Sequence, residues 1–203
     1  GIHHVLVTIT QVAAVRLAVE MVRHQRQLGV SFAWVGADGG YGKEPGFLRA
    51  LQAMGEVFVA DVHKDQRIYL EDPQPQVAPV PAGKSRGRPR RRLEAQSTPQ
   101  RVDAWVESLP QDAWQRISLR EGSRGRLDVE VIHRRVWLWD GKEPQASHWH
   151  LIVRREIDSP QTIKYTLSNA DAGLGAHRLA QMQSQRFWIE RAFQDAKSHC
   201  GMA

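Results

Sequence analysis

An α/β fold, with helices packed on a sheet, is what this 203-residue sequence predicts, and three observations predict it. Strand-like and helix-like patterns alternate in short succession over residues 1–70, the arrangement of a sheet with helices laid on it. Residues 101–167 then read mostly as strands separated by turn signals. A closing segment, 185–197, returns to helical periodicity.

Val5 to Ile9 reads as a strand rich in β-branched residues. Gln11 to Leu28 reads as a helix, with Thr10 as N-cap, Val12, Val15, Val19 and Val22 on one face, and Gly29 as the stop. Ser31 to Ala37 is a short apolar run of buried-strand character ending on Asp38, followed by Gly39-Gly40-Tyr41-Gly42-Lys43. An Asp just past a strand's C-terminal end sits where open α/β sheets bind ligands, and glycines let backbone approach closely. Taken alone, Asp-Gly after a strand is most often a turn. The segment does not read as a phosphate-cradling loop, because Lys43 lacks a following Ser or Thr and the glycine spacing is wrong. A helix from about Glu44 to Met54, a break at Gly55 and a buried strand from Val57 to Val62 complete this part.

Residues 71–100 are Pro-rich and lack hydrophobic periodicity, the composition of a linker or extended arm. Lys84, Arg86, Arg88, Arg90, Arg91 and Arg92 lie here with no acid among them. They account for the whole net charge of +6, so the basicity is one local patch. Arg86-Gly87-Arg88-Pro89 is similar to an AT-hook core, which fits the minor groove of A·T-rich DNA. A solvated basic loop fits the four residues equally well, and it too would favour phosphates through counterion release.

Beyond the arm, strands are expected at Arg116 to Glu121, Leu127 to Trp139, His148 to Glu156 and Ile163 to Leu167, with turns at Gly122-Ser123 and a hairpin signal at Asp140-Gly141. Trp105, Trp114, Trp137, Trp139 and Trp149 could stack bases, but a small β layer needs large apolar residues for its own core. His133 and His148-Trp149-His150 are weak as a zinc set, lacking a Cys or acidic companion at metal spacing.

In the closing segment Arg186, Glu190 and Lys197 share one helix face, with Gln183 alongside, at ~100° per residue. Met182, Ile189, Phe193 and Ala196 form an adjacent apolar arc. A Glu between two cations is by itself most often a solvated face with weak pairs. It also suits a metal site that works on nucleic acid.

Composition bounds the function. The hydrophobic content of 41% suffices for a core, and a pI near 9.9 favours a polyanionic partner. A single cysteine, Cys200, forms no intrachain disulfide, which fits a reducing cytoplasm. No apolar run approaches the ~18 residues of a membrane span, and no signal-peptide pattern opens the sequence.

Val35-Gly36-Ala37-Asp38-Gly39-Gly40-Tyr41-Gly42 with Phe47-Leu48, then Val57 to Val62, then Arg186-x3-Glu190-x6-Lys197, together resemble bacterial insertion-sequence DDE transposases, particularly the 701 family. The resemblance is strongest over residues 11–72 and 163–203. That family's signature opens with a Tyr three residues before the Arg, and here the position is Gln183. The resemblance implies an RNase H-like core interrupted by a β-rich insertion. It divides the chain into a first core part (1–70), a Pro-rich basic linker (71–100), the insertion (101–168) and the catalytic-helix part (169–203).

It further implies metal-dependent phosphoryl transfer with two Mg²⁺ ions (Mn²⁺ as a substitute), ligated by Asp38 and Glu190. Arg186 and Lys197 would hold double-stranded DNA at transposon ends, with Arg86, Arg88, Arg90, Arg91 and Arg92 as further DNA contacts. A homodimer on paired ends, in a nucleoid-associated cytoplasmic setting, completes the expectation. The family's first catalytic Asp lies on an earlier strand, and residues 1–37 hold only one acid, Glu20, in mid-helix. The chain thus reads as the C-terminal part of a longer protein, lacking its first core strands and, without that Asp, inactive on its own. Asp61 is in the wrong order to replace that Asp. Two other readings stay open: a truncated transposase that binds DNA without cutting it, and a non-transposing nuclease of the same fold.

Overall fold

Val15–Gln27 forms α1, the first helix of a computed structural model that describes residues 15–78, 92–120 and 127–185. Ala18 and Val22 are fully buried on its inner face and Val19 packs beside them. Gly29, at φ +78°, ends the helix, with its N–H on the Arg26 carbonyl and the Val30 N–H on that of Gln25. The expected strand at Val5 to Ile9, Thr10 and Val12 lie outside the described residues.

The apolar run from Ser31 yields a strand, β1, only at Val35–Ala37. Its partner β2, Phe58–Val62, lies parallel to it, and among the described residues their ladder begins at Val35 opposite Phe58. Phe32 and Trp34 are buried all the same, in different apolar clusters. Between the strands come a one-turn helix α2, Gly39–Gly42, and α3, Pro45–Ala53, which buries Phe47, Leu48 and Leu51.

The arm is anchored at its base. Arg67–Ile68 (β3) pairs with Gln100–Arg101 (β6), Gln76–Val77 (β4) pairs with Leu93–Glu94 (β5), and the Ala78 N–H donates to the Arg92 carbonyl. The flanks of a segment expected to run without regular structure therefore pair with each other. Arg86, Arg88, Arg90 and Arg91 lie outside the described residues, while Arg92 is exposed at the base.

Val102–Glu107 forms α4, a helix not expected in a region read as mostly strand-like. Its buried residues, Val102, Trp105 and Val106, follow i, i+3, i+4 spacing, a helical signal too short to stand out beside the long strands after it. Those strands are β7 (Gln115–Arg120), β8 (Leu127–Leu138), β9 (Ser147–Glu156) and β10 (Ser159–Ser168). A final helix, α5, runs over 176–185, where the described residues end. Gly141, at φ +87°, turns the chain between β8 and β9, and Asp140 there accepts from the Lys142 N–H and from Arg49.

The result is a mixed α/β architecture around one six-stranded sheet ordered β1-β2-β10-β9-β8-β7, consistent with an RNase H-like fold. β10 runs antiparallel to β2, with Tyr165 opposite Val62 and Ser168 opposite Val59, so the β-rich region extends the sheet that β1 and β2 begin. One face packs on α1, α3 and α4 through Val35, Ala37, Phe58, Ala60, Trp149, Leu151 and Leu167. The other meets α5 through Val59, Val129, Val131 and Ile152 against Leu179, Ala180 and Met182. Each such large apolar side chain contributes roughly 1.5–3 kcal/mol. Among the described tryptophans, Trp105 and Trp149 are core residues, Trp149 meets Phe58 edge-on at 4.9 Å, and Trp137 stacks on His148 at 4.0 Å.

Of the described glycines, Gly42 is the one that other backbone approaches most closely. A β-carbon there would lie 1.8 Å from the Asp61 carbonyl oxygen, a clash of α2 with β2 that no side-chain rotation can relieve. Gly42→Ala is therefore expected to lower stability by about 2 kcal/mol or more. Gly39→Ala, whose β-carbon would meet only His63 at 3.6 Å, is expected to stay within about 0.5 kcal/mol. Denaturant unfolding of the two variants side by side checks the difference.

Candidate active site at the strand ends

Asp38 follows the last residue of β1 with extended backbone, φ −77° and ψ 175°, so the alternation of the strand carries through it. Val35 and Ala37 face the α1/α3/α4 side, which puts Asp38 on the α5 side. Its Oδ1 caps α2, accepting from the N–H groups of Gly40 at 3.0 Å and Tyr41 at 3.3 Å. Tyr41 is buried against Phe47, with ring centroids 5.2 Å apart, so the donors themselves are held by packing. Among the described residues Oδ2 has no hydrogen-bond partner, and it belongs to a carboxylate oriented at one end only. The Asp-Gly step is thus both a turn and a fixed, partly exposed acid at a strand end.

Asp61 is its neighbour. Ala37 pairs with Ala60 in the parallel ladder, so the next residues in register are Asp38 and Asp61. Asp61 Oδ1 accepts from the Thr166 hydroxyl at 2.9 Å, and Thr166 Oγ1 accepts from Gln183 Nε2 of α5 at 2.6 Å. Arg154 of β9 is buried on the same side, and burial holds its guanidinium below its ordinary value, opposed by the charges of Glu156 and Asp61. Thr166 and Gln183 are themselves buried. Sequence reasoning reached Asp61 only as an out-of-order acid and did not reach Thr166 or Arg154. Their signal was available in principle: both are polar at positions that period-two alternation places on a buried face beside Ile152.

Of the other expected site residues, Glu190, Arg186 and Lys197 lie outside the described residues, as do Ile189, Phe193 and Ala196 of the apolar arc. Met182 is buried under the sheet as the arc requires, and Gln183 points into the polar network beside it. Among the described residues no three His, Cys, Asp or Glu side chains converge as a metal set. What Asp38 offers is one hard oxygen of the type that divalent cations such as Mg²⁺ prefer, already oriented, so the donor chemistry fits while the ligand count does not close within these residues.

The histidines form a pair of a different kind. His150 is fully buried and its Nε2 lies 2.8 Å from the Asp171 carbonyl, so Nε2 carries the proton and donates. Its Nδ1 is then the acceptor, and His133 Nε2, at 2.8 Å, is the donor. Burial pushes both imidazoles below their ordinary value, and the neighbouring Arg135 pushes the same way.

The family model described as DDE superfamily endonuclease matches residues 4–126, well over half of the chain. The match contains Asp38, Asp61 and the whole β1-α2-α3-β2 unit and ends before α5. The chain belongs to the DDE superfamily endonucleases, nucleases and transposases that act on DNA with divalent metal ions. A search of curated protein sequences finds no match. No helix among the described residues is long and apolar enough to cross a membrane.

The histidine pair gives the fold an acid limit. In the unfolded chain both imidazoles titrate near 6.5, whereas the folded state binds their protons only at lower pH. The unfolded state therefore takes up more protons as pH falls through 6.5, and stability is lost on that side. The melting temperature should be nearly flat above about pH 7 and fall steadily toward about pH 5. His150→Gln should flatten that slope; a parent melting temperature constant over the whole range rules the coupling out.

Proposed function

We propose that this chain carries part of the active site of an insertion-sequence transposase, similar in particular to the 701 family, that cleaves DNA at transposon ends and joins the freed ends to target DNA; the family's first Asp has no counterpart among residues 1–37. The observation that carries the proposal is the placement of Asp38. It stands at the C-terminal end of β1, oriented by the Gly40 and Tyr41 amides, inside the family match, on the sheet face that α5 covers. The segment continuing α5 holds Arg186, Glu190 and Lys197 at spacings that a helix gathers on one face.

In this reading Asp38 and Glu190 hold two divalent cations, Mg²⁺ or Mn²⁺, which when bound supply Lewis-acid stabilisation to the attacking and leaving oxygens of an in-line displacement. Asp38 contributes through Oδ2, since Oδ1 is engaged by the α2 amides. Arg186 and Lys197 grip phosphates on either side of the scissile position, Arg by its two-pronged guanidinium and Lys as a point charge. Water attacks the phosphorus, the P–O3′ bond breaks, and the 3′ oxygen leaves and takes up a proton. The resulting 3′ hydroxyl then attacks a target phosphate in the same geometry. Arg86, Arg88, Arg90, Arg91 and Arg92 lie on or beside an arm whose base is pinned at the β4–β5 pair, and they attract the duplex through counterion release. Two copies of the chain acting on paired ends complete the proposed assembly.

Glu190→Gln and Asp38→Asn should each abolish Mg²⁺-dependent nicking of duplex DNA carrying the flanking inverted repeats, while leaving DNA affinity within about twofold. Lys197→Ala should instead weaken binding and reduce the slope of log K against log salt by about one. Nicking retained by the Glu190 variant rules out the carboxylate assignment. Binding by the parent with no nicking at any Mg²⁺ or Mn²⁺ concentration favours a DNA-binding protein that does not cut.

A further inference from the structure

We infer that His63 supplies a nitrogen ligand to the divalent cation held at Asp38, so that the site takes nitrogen-accepting ions such as Mn²⁺ in preference to Mg²⁺; the inference rests on the reading of Asp38 as a metal ligand. The two side chains come from neighbouring strand ends. Ala37 and Ala60 are partners in the parallel β1–β2 ladder, so Asp38 leaves one strand beside Asp61, and His63 follows two residues further along the other. Val62 belongs to the α1/α3/α4 side, and continued alternation sends His63 toward the α5 side, where Asp38 lies. The ring itself is turned to the Asp38 loop. A β-carbon on Gly39, the residue after Asp38, would lie 3.6 Å from His63 Nε2 and 3.7 Å from Cε1, so the Nε2 edge of the imidazole rests against the backbone that carries the carboxylate.

The fold holds the backbone of His63 and leaves its ring unused. The His63 carbonyl accepts from the Gln66 N–H at 3.0 Å, and the turn so closed is tied to the start of α4 by the Val102 N–H on the Gln66 carbonyl at 2.9 Å and the Asp103 N–H on the Lys64 carbonyl at 3.1 Å. The side chain is exposed, and among the described residues neither ring nitrogen has a hydrogen-bond partner. A free donor atom on a pinned backbone has little freedom left to lose when it ligates. Asp38 matches it, with Oδ1 engaged by the α2 amides and Oδ2 open, whereas Asp61 already accepts from Thr166. The two donors differ in what they select. A carboxylate oxygen serves Mg²⁺ and Mn²⁺ alike, but imidazole nitrogen suits transition ions, while Mg²⁺ demands oxygen and gives up its waters reluctantly. An oxygen from Asp38 and a nitrogen from His63 fill two positions around the ion and leave the others to water and phosphate oxygens.

The test is Mn²⁺ binding by the full chain, followed by electron paramagnetic resonance, whose pulsed form reads the ¹⁴N of a ligating imidazole directly. The parent should show ¹⁴N modulation on its bound Mn²⁺. His63→Ala should remove the modulation and weaken Mn²⁺ binding about tenfold or more, while Mg²⁺ affinity, measured by competition, stays within about twofold. His63→Asp, which puts oxygen where nitrogen was, should also remove the modulation and bring Mg²⁺ affinity up toward that for Mn²⁺. His24→Ala, a substitution on the exposed side of α1, should change none of these readings. Because the His63 side chain is exposed, each His63 variant should melt where the parent does. Mn²⁺ that depends on Asp38 but shows no ¹⁴N modulation overturns the inference, as does equal Mn²⁺ affinity in the parent and His63→Ala; either result leaves the DNA-cleaving reading standing. Mn²⁺ binding that Asp38→Asn does not weaken, or no binding by the parent at millimolar Mn²⁺, overturns the metal role of Asp38 and the inference together.

Discussion

The pairing of β10 with β2 is the seam on which the rest of the molecule depends. It brings residues 165–168 against 59–62, across more than half the chain, and turns a small parallel unit and a long antiparallel meander into one sheet. Side chains reinforce it at one end. The Ser168 hydroxyl donates to the Phe58 carbonyl at 2.6 Å, while Asn169 accepts from the Phe58 N–H at 2.8 Å and donates to the Glu56 carbonyl at 2.9 Å. Each bond is worth about 1 kcal/mol net, but leaving any of these buried groups unpaired costs more than the bond contributes. Both apolar clusters cross this seam, so neither face of the sheet has a core without it.

The long meander strands were legible in the sequence because their alternation extends over many residues and is bounded by Gly- and Asp-containing turns. The βα units were legible for another reason: Gly29 and Gly55, both at positive φ, punctuate them where a side chain would be strained. The helix at Val102–Glu107 was not, since six residues give a helical period too little length to be told from a strand. Nor was the seam. Which strand lies beside Phe58–Val62 is a long-range choice, made by matching apolar faces and by the Ser168-Asn169 side chains, and no local pattern announces it.

Asp38 was readable as a candidate because a strand end followed by glycines is a local signature. The network around Asp61 was not, because it is assembled from three elements, β2, β10 and α5, that meet only in the fold. Burial explains how the network stays in place. Arg154 and Thr166 sit on a face that α5 excludes from water, where an electrostatic or hydrogen-bonded contact is stronger than at the surface and a lost one is more damaging. The exposed ion pairs elsewhere, such as Arg23 with Glu20, lie in water and contribute little to holding the fold.

The paired base of the arm has a bearing on how the chain can vary. The strand pairs β3–β6 and β4–β5 and the Ala78–Arg92 bond bring the two ends of the intervening segment side by side, so the sheet senses only a closed stem. Closing a longer or shorter loop on such a stem changes its entropy by only about 0.6 kcal/mol per doubling of length. A change in the length or charge of the intervening sequence is therefore closed at the β4–β5 pair, whose register is set apart from that of the six-stranded sheet that carries Asp38.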